Sequence, residues 1–487
     1  MRYALSLILL LCSPLVAAEF WISPAGSHRA PGTLTDPWDL QTALAQPSQV
    51  VPGDTLWLLP GVYKLQQPLV GRLSGTQSRP IKLRAQPGTR VTLDCAIASA
   101  LAGDASCLLI EGSHAWYESF EIFNSREIRS AVAPGAPANP RGIGIQARSG
   151  PGVKLINLVI HDVGLAVFES QPSGIEIYGL IAYNNGWDGP DRSHGPGIYI
   201  RNKTAWPRKF IEDSIVFQNY RQGLQGYGTG ANVFSHMQLV GNIFFNNGIG
   251  RNGLHRNLMF GNERGDHVGN VLWENFTYFP RAARSSGNLF GGDGGCRDLR
   301  LVGNIFASTS QLNCLQGIEA AANTFYGKVS WVASTQPFQA AFPDNEFPEH
   351  ASGVDIRIRR NRYDSQRLHA VIYNWDRLDA VELDLSRLGV PAGALVEVRS
   401  AQGPFGEPLR LAFTGAALAV PMTGWNAALP IDWSAGKSLP PTFPEFGALI
   451  LTWTRPNLAS YRMVLASSTP IGPVVMLRFT WRSKLIT

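Results

Sequence analysis

The 487-residue sequence predicts an all-β protein, a parallel β-solenoid followed by a small antiparallel β-sandwich. Three observations carry that prediction. A short apolar phrase closed by Asn or Asp recurs between Ser119 and Phe325, a glycine-led apolar strand precedes most copies of it, and past Leu368 the repeat gives way to separated, alternating strands.

The phrase reads Ser119-Phe-Glu-Ile-Phe-Asn124, Asn157-Leu-Val-Ile-His-Asp162, Leu180-Ile-Ala-Tyr-Asn-Asn185, Ser214-Ile-Val-Phe-Gln-Asn219, Asn242-Ile-Phe-Phe-Asn-Asn247 and Asn270-Val-Leu-Trp-Glu-Asn275, with weaker copies from Asn304 and Asn323. Successive copies lie 19 to 38 residues apart, so a constant unit is separated by loops of varying length. Four apolar residues rich in β-branched and aromatic types are too short for a helix and suit a strand. One such strand cannot bury its own face, so copies must stack, like side chain on like side chain. Asn suits the turns because it tolerates positive φ and can hydrogen-bond to its equivalent one coil away.

Before the phrases stand Gly142-Ile-Gly-Ile, Gly164-Leu-Ala-Val, Gly197-Ile-Tyr-Ile and Gly223-Leu-Gln-Gly, and Asn257-Leu-Met-Phe and Asn288-Leu-Phe-Gly follow the same scheme. Side chains alternate faces along a strand, so Ile143, Leu165, Ile198, Leu224, Leu258 and Leu289 are expected to form one inward column. In the main phrase the first and third strand residues, such as Ile215 and Ile243, are expected inside. The middle ones, Val159, Ala182, Val216, Phe244, Leu272, Phe306 and Phe325, would then make an outward apolar ridge. A ridge of that size requires a cover, either the β-sandwich or an inserted loop.

These repeats resemble the right-handed parallel β-helix of the pectin-lyase-like superfamily. A second likeness lies near the N-terminus, where Phe20-Trp-Ile-Ser-Pro-Ala-Gly-Ser27, Gln41-Thr-Ala-Leu44, Pro52-Gly-Asp-Thr-Leu-Trp57 and Pro60-Gly-Val-Tyr63 are similar to the capping first coils of exported bacterial β-helix proteins that act on polysaccharides. The resemblance implies a fold for residues 19 to 366. It does not imply one activity, because that superfamily holds lyases, hydrolases, epimerases and adhesins. The Asn-Thr-Asp and Arg-Ile-Lys signatures of polygalacturonases are absent, and Ser193-His-Gly195 matches their Gly-His-Gly only loosely. The signatures of pectate lyases are absent too, so no catalytic residue carries over.

Residues 1 to 18, with Arg2, an apolar run from Leu5 to Leu11 and Val16-Ala-Ala18, read as a secretory signal, which predicts a secreted or periplasmic protein. No later stretch is long enough to span a bilayer. Cys95, Cys107, Cys296 and Cys314 remain after the leader; they are either two local disulfides, 95 to 107 and 296 to 314, or four small buried hydrophobes. Residues 367 to 455 form the expected sandwich, with strands such as Ala370-Val-Ile-Tyr373 and Ala448-Leu-Ile-Leu451, and residues 456 to 487 are an unassigned tail. The net charge of +6 owes most to that tail, with Arg462, Arg478, Arg482 and Lys484, and to Arg2. The body is close to neutral, and global basicity points to no partner.

Local charge is more telling. Arg192, Arg201, Lys203, Arg208, Lys209 and Arg221 crowd a stretch with Trp187, His194, Tyr199 and Trp206. Guanidinium forks beside aromatic faces suit a carboxylate-bearing sugar, although a solvated loop would read the same way. The loops at 125 to 140, 186 to 196 and 276 to 287 are the longest insertions, and the second holds Asp188, Asp191 and His194 before a strand whose outward residues are Tyr199 and Arg201. The next coil offers Gln225 and Tyr227 at the same places.

The reading is therefore a polysaccharide as ligand or substrate, no nucleic acid and a monomer. His194, Tyr199 and Arg201 are the candidate catalytic residues. Trp187, Lys203, Arg221, Gln225, Tyr227, His255 and His267 are the candidate substrate contacts, and Asp188 and Asp191 are candidate ligands for Ca²⁺. The predicted reaction is β-elimination on a uronate-containing glycan. A base takes the proton next to the carboxylate, Arg or Ca²⁺ neutralises that carboxylate, and Tyr or His protonates the leaving oxygen. A two-carboxylate glycoside hydrolase using Asp188, Asp191, Glu263 or Asp266, and a non-catalytic glycan-binding surface protein, are the alternatives.

Overall fold

A computed structural model describes residues 17–455 apart from 98–104, 131–138, 171–173, 203–205, 229–233, 251–255, 263–267, 281–286, 293–294, 333, 434–438 and 440–441. The expected leader and tail thus lie almost wholly outside the described residues. Among those described, the chain winds through three parallel sheets of eleven, ten and ten strands, here called A, B and C. Each coil visits them in that order, as in Phe210–Glu212 (A), Ile215–Phe217 (B) and Leu224–Gly228 (C). Alternation puts Ile211, Val216 and Leu224 into one continuous core, which is the parallel β-helix the repeats predict. Among the described residues no helix is long and apolar enough to cross a membrane.

Asn ladders run along the turns. Asn242 Nδ2 donates to Asn275 Oδ1 at 2.8 Å, Asn275 to Asn304 at 3.0 Å, Asn304 to Asn323 at 2.8 Å and Asn323 to Asn345 at 2.7 Å. A second ladder joins Asn185 to Asn219 at 2.9 Å and Asn219 to Asn247 at 2.8 Å. The ladder residues are not the ones with positive φ. The strain falls on their predecessors, among them Asn184, Gln218, Asn246 and Glu274, each with φ near +50°. Cys95–Cys107 and Cys296–Cys314 form two disulfides, and the second joins stacked strand residues one coil apart.

The antiparallel unit begins at Val354–Arg360, which pairs with Arg367–Asn374 in a five-stranded sheet. A two-stranded sheet of Ala380–Leu383 and Leu418–Pro421 lies against it. Their shared core includes Ile372, Leu383, Val396, Val420 and Leu449.

The register differs from expectation. Of the residues expected in the outward ridge, Val159 does face out, but Ala182, Val216, Phe244, Phe306 and Phe325 point into the solenoid core, and Leu272 enters it from sheet A. The residues expected inside, Ile181, Ile215 and Ile243 with Tyr183, Phe217 and Phe245, face outward. They are buried under Val371, Tyr373, Phe446, Ala448 and Ile450 of the antiparallel unit. The β-sandwich is therefore the expected cover, laid over the opposite set of side chains. The copy at Asn270 also belongs to sheet A, and the stacked neighbour of Asn242-Ile-Phe-Phe is Asn275-Phe-Thr-Tyr278, so the loop predicted to start at 276 starts three residues later. In sheet C, Ile198, Leu224 and Leu258 do stack inward, but Ile198 lies on Val167 rather than Leu165. A bulge after Arg256 then sets Asn288 under Leu258 and turns Leu289 outward.

Candidate active site

The antiparallel unit docks on sheet B, and among the described residues it leaves the outer face of sheet C uncovered. Period-two alternation lines it up as Gln146, Phe168, Tyr199, Gln225, Met259, Leu289 and Gln311, one residue per coil. Loops that join sheet B to sheet C wall one side of it. Among them is a hairpin in which Trp187–Asp188 pairs with Ser193–His194. Asp188 N bonds to Arg129 O at 3.0 Å, so the hairpin rests on the preceding insertion.

Within this wall the indole of Trp187 stacks on the His194 imidazole, centroids 5.0 Å apart and 15° from parallel. Asp191 Oδ1 lies 3.4 Å from His194 Nε2. Burial pushes the His194 pKa below its ordinary value against the pull of Asp191, with Arg192 and Arg221 adding to the depression, so the ring is neutral at pH 7. On the sheet, Arg201 Nη1 donates to Tyr199 OH at 3.4 Å, and the Arg201 guanidinium sits 5.4 Å from the rings of both Tyr199 and Phe168. Arg201 Nε is buried without a hydrogen-bond partner. Burial raises the Tyr199 pKa, although Arg201 and Arg221 pull it down, so the phenol keeps its proton. Arg221 is depressed by burial first and then by Arg192 and Arg256.

The structure thus brings His194, Tyr199, Arg201 and Arg221 into one electrostatic neighbourhood, with Trp187 behind and Gln225 beside Tyr199. Tyr227, two residues beyond Gln225, is half-buried at the far end of its strand. Arg256 joins the group; it was not singled out as a substrate contact, and only the folding of the next coil shows it near Arg221. Lys203, His255 and His267, with Glu263 and Asp266, lie outside the described residues. Asp188 Oδ1 accepts from Ser193 Oγ at 2.7 Å, and Asp191 turns to His194 and Arg192. Among the described residues no group of three His, Cys, Asp or Glu could hold a metal ion. Lys209, counted in the basic stretch, points inward. It forms a fully buried ion pair with Glu169 and donates to Arg201 O at 2.6 Å, which fixes the backbone that carries the Arg201 side chain.

A second ionic constellation escaped the sequence reading. On the outer face of sheet B, His161 Nε2 is 2.8 Å from Glu121 Oε1 and His161 Nδ1 is 2.8 Å from Asp162 Oδ2. Arg90 grips Glu121 with two bonds of 2.8 and 2.9 Å, and Thr92 adds one of 2.6 Å. Arg129 pairs with Asp162, which also accepts from Ile431 N at 2.8 Å in the antiparallel unit. Burial opposes the charge on Glu121, yet the bonds from His161, Arg90 and Thr92 hold its pKa at about 2. Burial likewise opposes protonation of His161, but Asp162 and Glu121 raise its pKa. Both ring nitrogens and both Glu121 oxygens are occupied by solenoid groups, and the network reaches the antiparallel unit through Asp162 and Arg129, which bond Ile431. The signal was present in the sequence. Glu121 fills an outward position where other coils carry Ile181, Ile215 and Ile243, and His161 fills one where they carry Tyr183, Phe217 and Phe245.

No protein-family model and no curated protein matches the chain. Solved structures similar to it include a rhamnogalacturonan lyase, 14% identical, covering 68% of this chain and 87% of that one with a TM-score of 0.45. A pectate lyase, Pel9A, is 15% identical over 69% and 82% with a TM-score of 0.42. A GH136 lacto-N-biosidase from Eubacterium ramulus is 14% identical over 68% and 67% with a TM-score of 0.44. At these identities the likeness is one of fold.

Proposed function

We propose that the protein is an exported carbohydrate-active enzyme that cleaves a uronate-bearing polysaccharide by β-elimination on the outer face of sheet C. The observation that carries this reading is a neutral His194 and a protonated Tyr199 that have Arg221 as a common neighbour, with Arg201, whose Nε has no partner, beside Tyr199. A substrate carboxylate taken by Arg201, with Arg221 nearby, acidifies the adjacent C–H. His194 takes that proton, its electron pair becomes the new carbon–carbon double bond, the glycosidic C–O bond breaks, and the leaving oxygen takes the Tyr199 proton. Trp187 holds the His194 ring in place from behind. The two disulfides support export, because such bonds persist in oxidising compartments.

The test is incubation with a panel of uronate glycans, read by the ultraviolet absorbance of the unsaturated product. Arg201→Ala should lower kcat/KM about ten- to a hundred-fold, the worth of a charge-assisted contact. His194→Ala should lower kcat by about 10² or more with binding kept. The activity of the wild type should survive below pH 6.5 and fall only as pH drops through the depressed His194 pKa. Reducing-sugar release without absorbance would replace the lyase with a hydrolase. Binding without either signal would leave a glycan-binding protein.

A further inference from the structure

The side of the five-stranded sheet that faces the solenoid changes character along its length. At one end Val371, Tyr373, Ala448 and Ile450 dock on sheet B. The same alternation puts Arg367 and His369 on that side at the other end, and the strand pairing carries the row across Thr452 and Glu397 to Arg410. There the sheet overhangs the earlier coils and leaves an open cleft of about 450 Å³, lined by Arg90, Arg367, Arg399, Arg410, Phe405 and Glu407 among others.

Three of the four guanidinium groups are already matched. Arg90 is held by Glu121, and Arg399 and Arg410 share Glu397 at 3.1 and 3.0 Å. Arg367 is different. Its Nε donates to His369 Nε2 at 3.1 Å, and His369 Nδ1 in turn donates to Asp213 O at 2.9 Å. Burial first, and then the Arg367 charge, pushes His369 down to about 3, so the ring is neutral and its tautomer is set by those two bonds. The Arg367 fork is therefore oriented from behind, while its two terminal nitrogens have no hydrogen bond or ion pair among the described residues and feel the Asp364 carboxylate only from beyond bonding distance.

A half-buried, pre-oriented guanidinium without an acceptor wants a planar, bidentate anion. We propose that this interdomain cleft is a second binding site, in which Arg367 takes the carboxylate of an acidic sugar and Arg410 flanks it. The carboxylate rests on the cleft alone; the sugar rests on the function proposed above. A site there would hold an acidic chain across both units at a distance from the sheet C face.

The test uses the full chain carrying Arg201→Ala, so that the sheet C face does not compete, and titrates it calorimetrically with sodium galacturonate, galactose and sodium sulfate. Galacturonate should bind and galactose should not. Arg367→Gln should weaken galacturonate binding about ten-fold or more, and Arg410→Ala, at a more exposed side chain, should weaken it less. Both variants in the otherwise native chain should keep native turnover. Galacturonate binding unchanged by Arg367→Gln, or equal binding of galactose, would overturn the site. Sulfate binding as well as galacturonate would replace the carboxylate with a general anion. Absence of lyase activity in the native chain would remove the reaction proposed for sheet C and leave these outcomes readable.

Discussion

Replacing Glu121 with Gln tests the ionic network on the outer face of sheet B, which joins the antiparallel unit through Asp162. The side chain of Glu121 is 3% exposed and accepts from Arg90, Thr92 and His161. Its folded pKa of about 2 stands against an ordinary value of 4.5. A depression of that size corresponds to roughly 3 kcal/mol of stabilisation by the ionised form. Because the folded value is the lower one, that stabilisation is fully present above pH 4.5 and is lost as pH falls towards 2. The amide in Glu121→Gln keeps the shape, removes the charge and presents N–H groups to donors. Melting temperatures of wild type and variant, measured from pH 2.5 to 7, should therefore differ most above pH 5 and converge in acid. A gap that stayed constant over that range would refute the account, since it would show that the loss owes nothing to ionisation.

The corrected register makes two substitutions next to each other behave differently. Val216→Asp, which buries a charge in the solenoid core, should cost several kcal/mol and abolish soluble expression. Phe217→Asp lies at the interface under the antiparallel unit, so limited proteolysis should release that unit from a folded solenoid. Asn275→Ala removes one ladder acceptor and one donor and leaves the Asn242 backbone N–H and one of its two Nδ2 hydrogens without their acceptor, the other staying on Ile211 O, which should cost about 1 to 3 kcal/mol in thermal unfolding.

The coil architecture was legible in the sequence because each repeat is a local unit whose apolar run and turn residue must recur wherever a strand stacks on its neighbour. The sheet C face was legible for the same reason. Tyr199, Gln225 and Arg201 are polar residues at alternating positions of strands with Ile198 and Leu224 inside, so only one register is physically sensible. His194 could be placed near them because it precedes Tyr199 in the chain. Arg256 and the Glu121–His161–Asp162 network could not be, since their partners lie in other coils or, like Ile431, in another domain.

What the sequence by itself determined was the number of faces each strand buries; which face turns inward was decided only in three dimensions. Ile215, Val216 and Phe217 are all apolar because one sheet has the solenoid core behind it and the antiparallel unit in front. Alternation carries no sign where both sides are dry. The same closure created the interdomain cleft. Arg367 is an unremarkable strand residue until the sheet that carries it is laid over Arg90 and Glu121, hundreds of residues away in the chain.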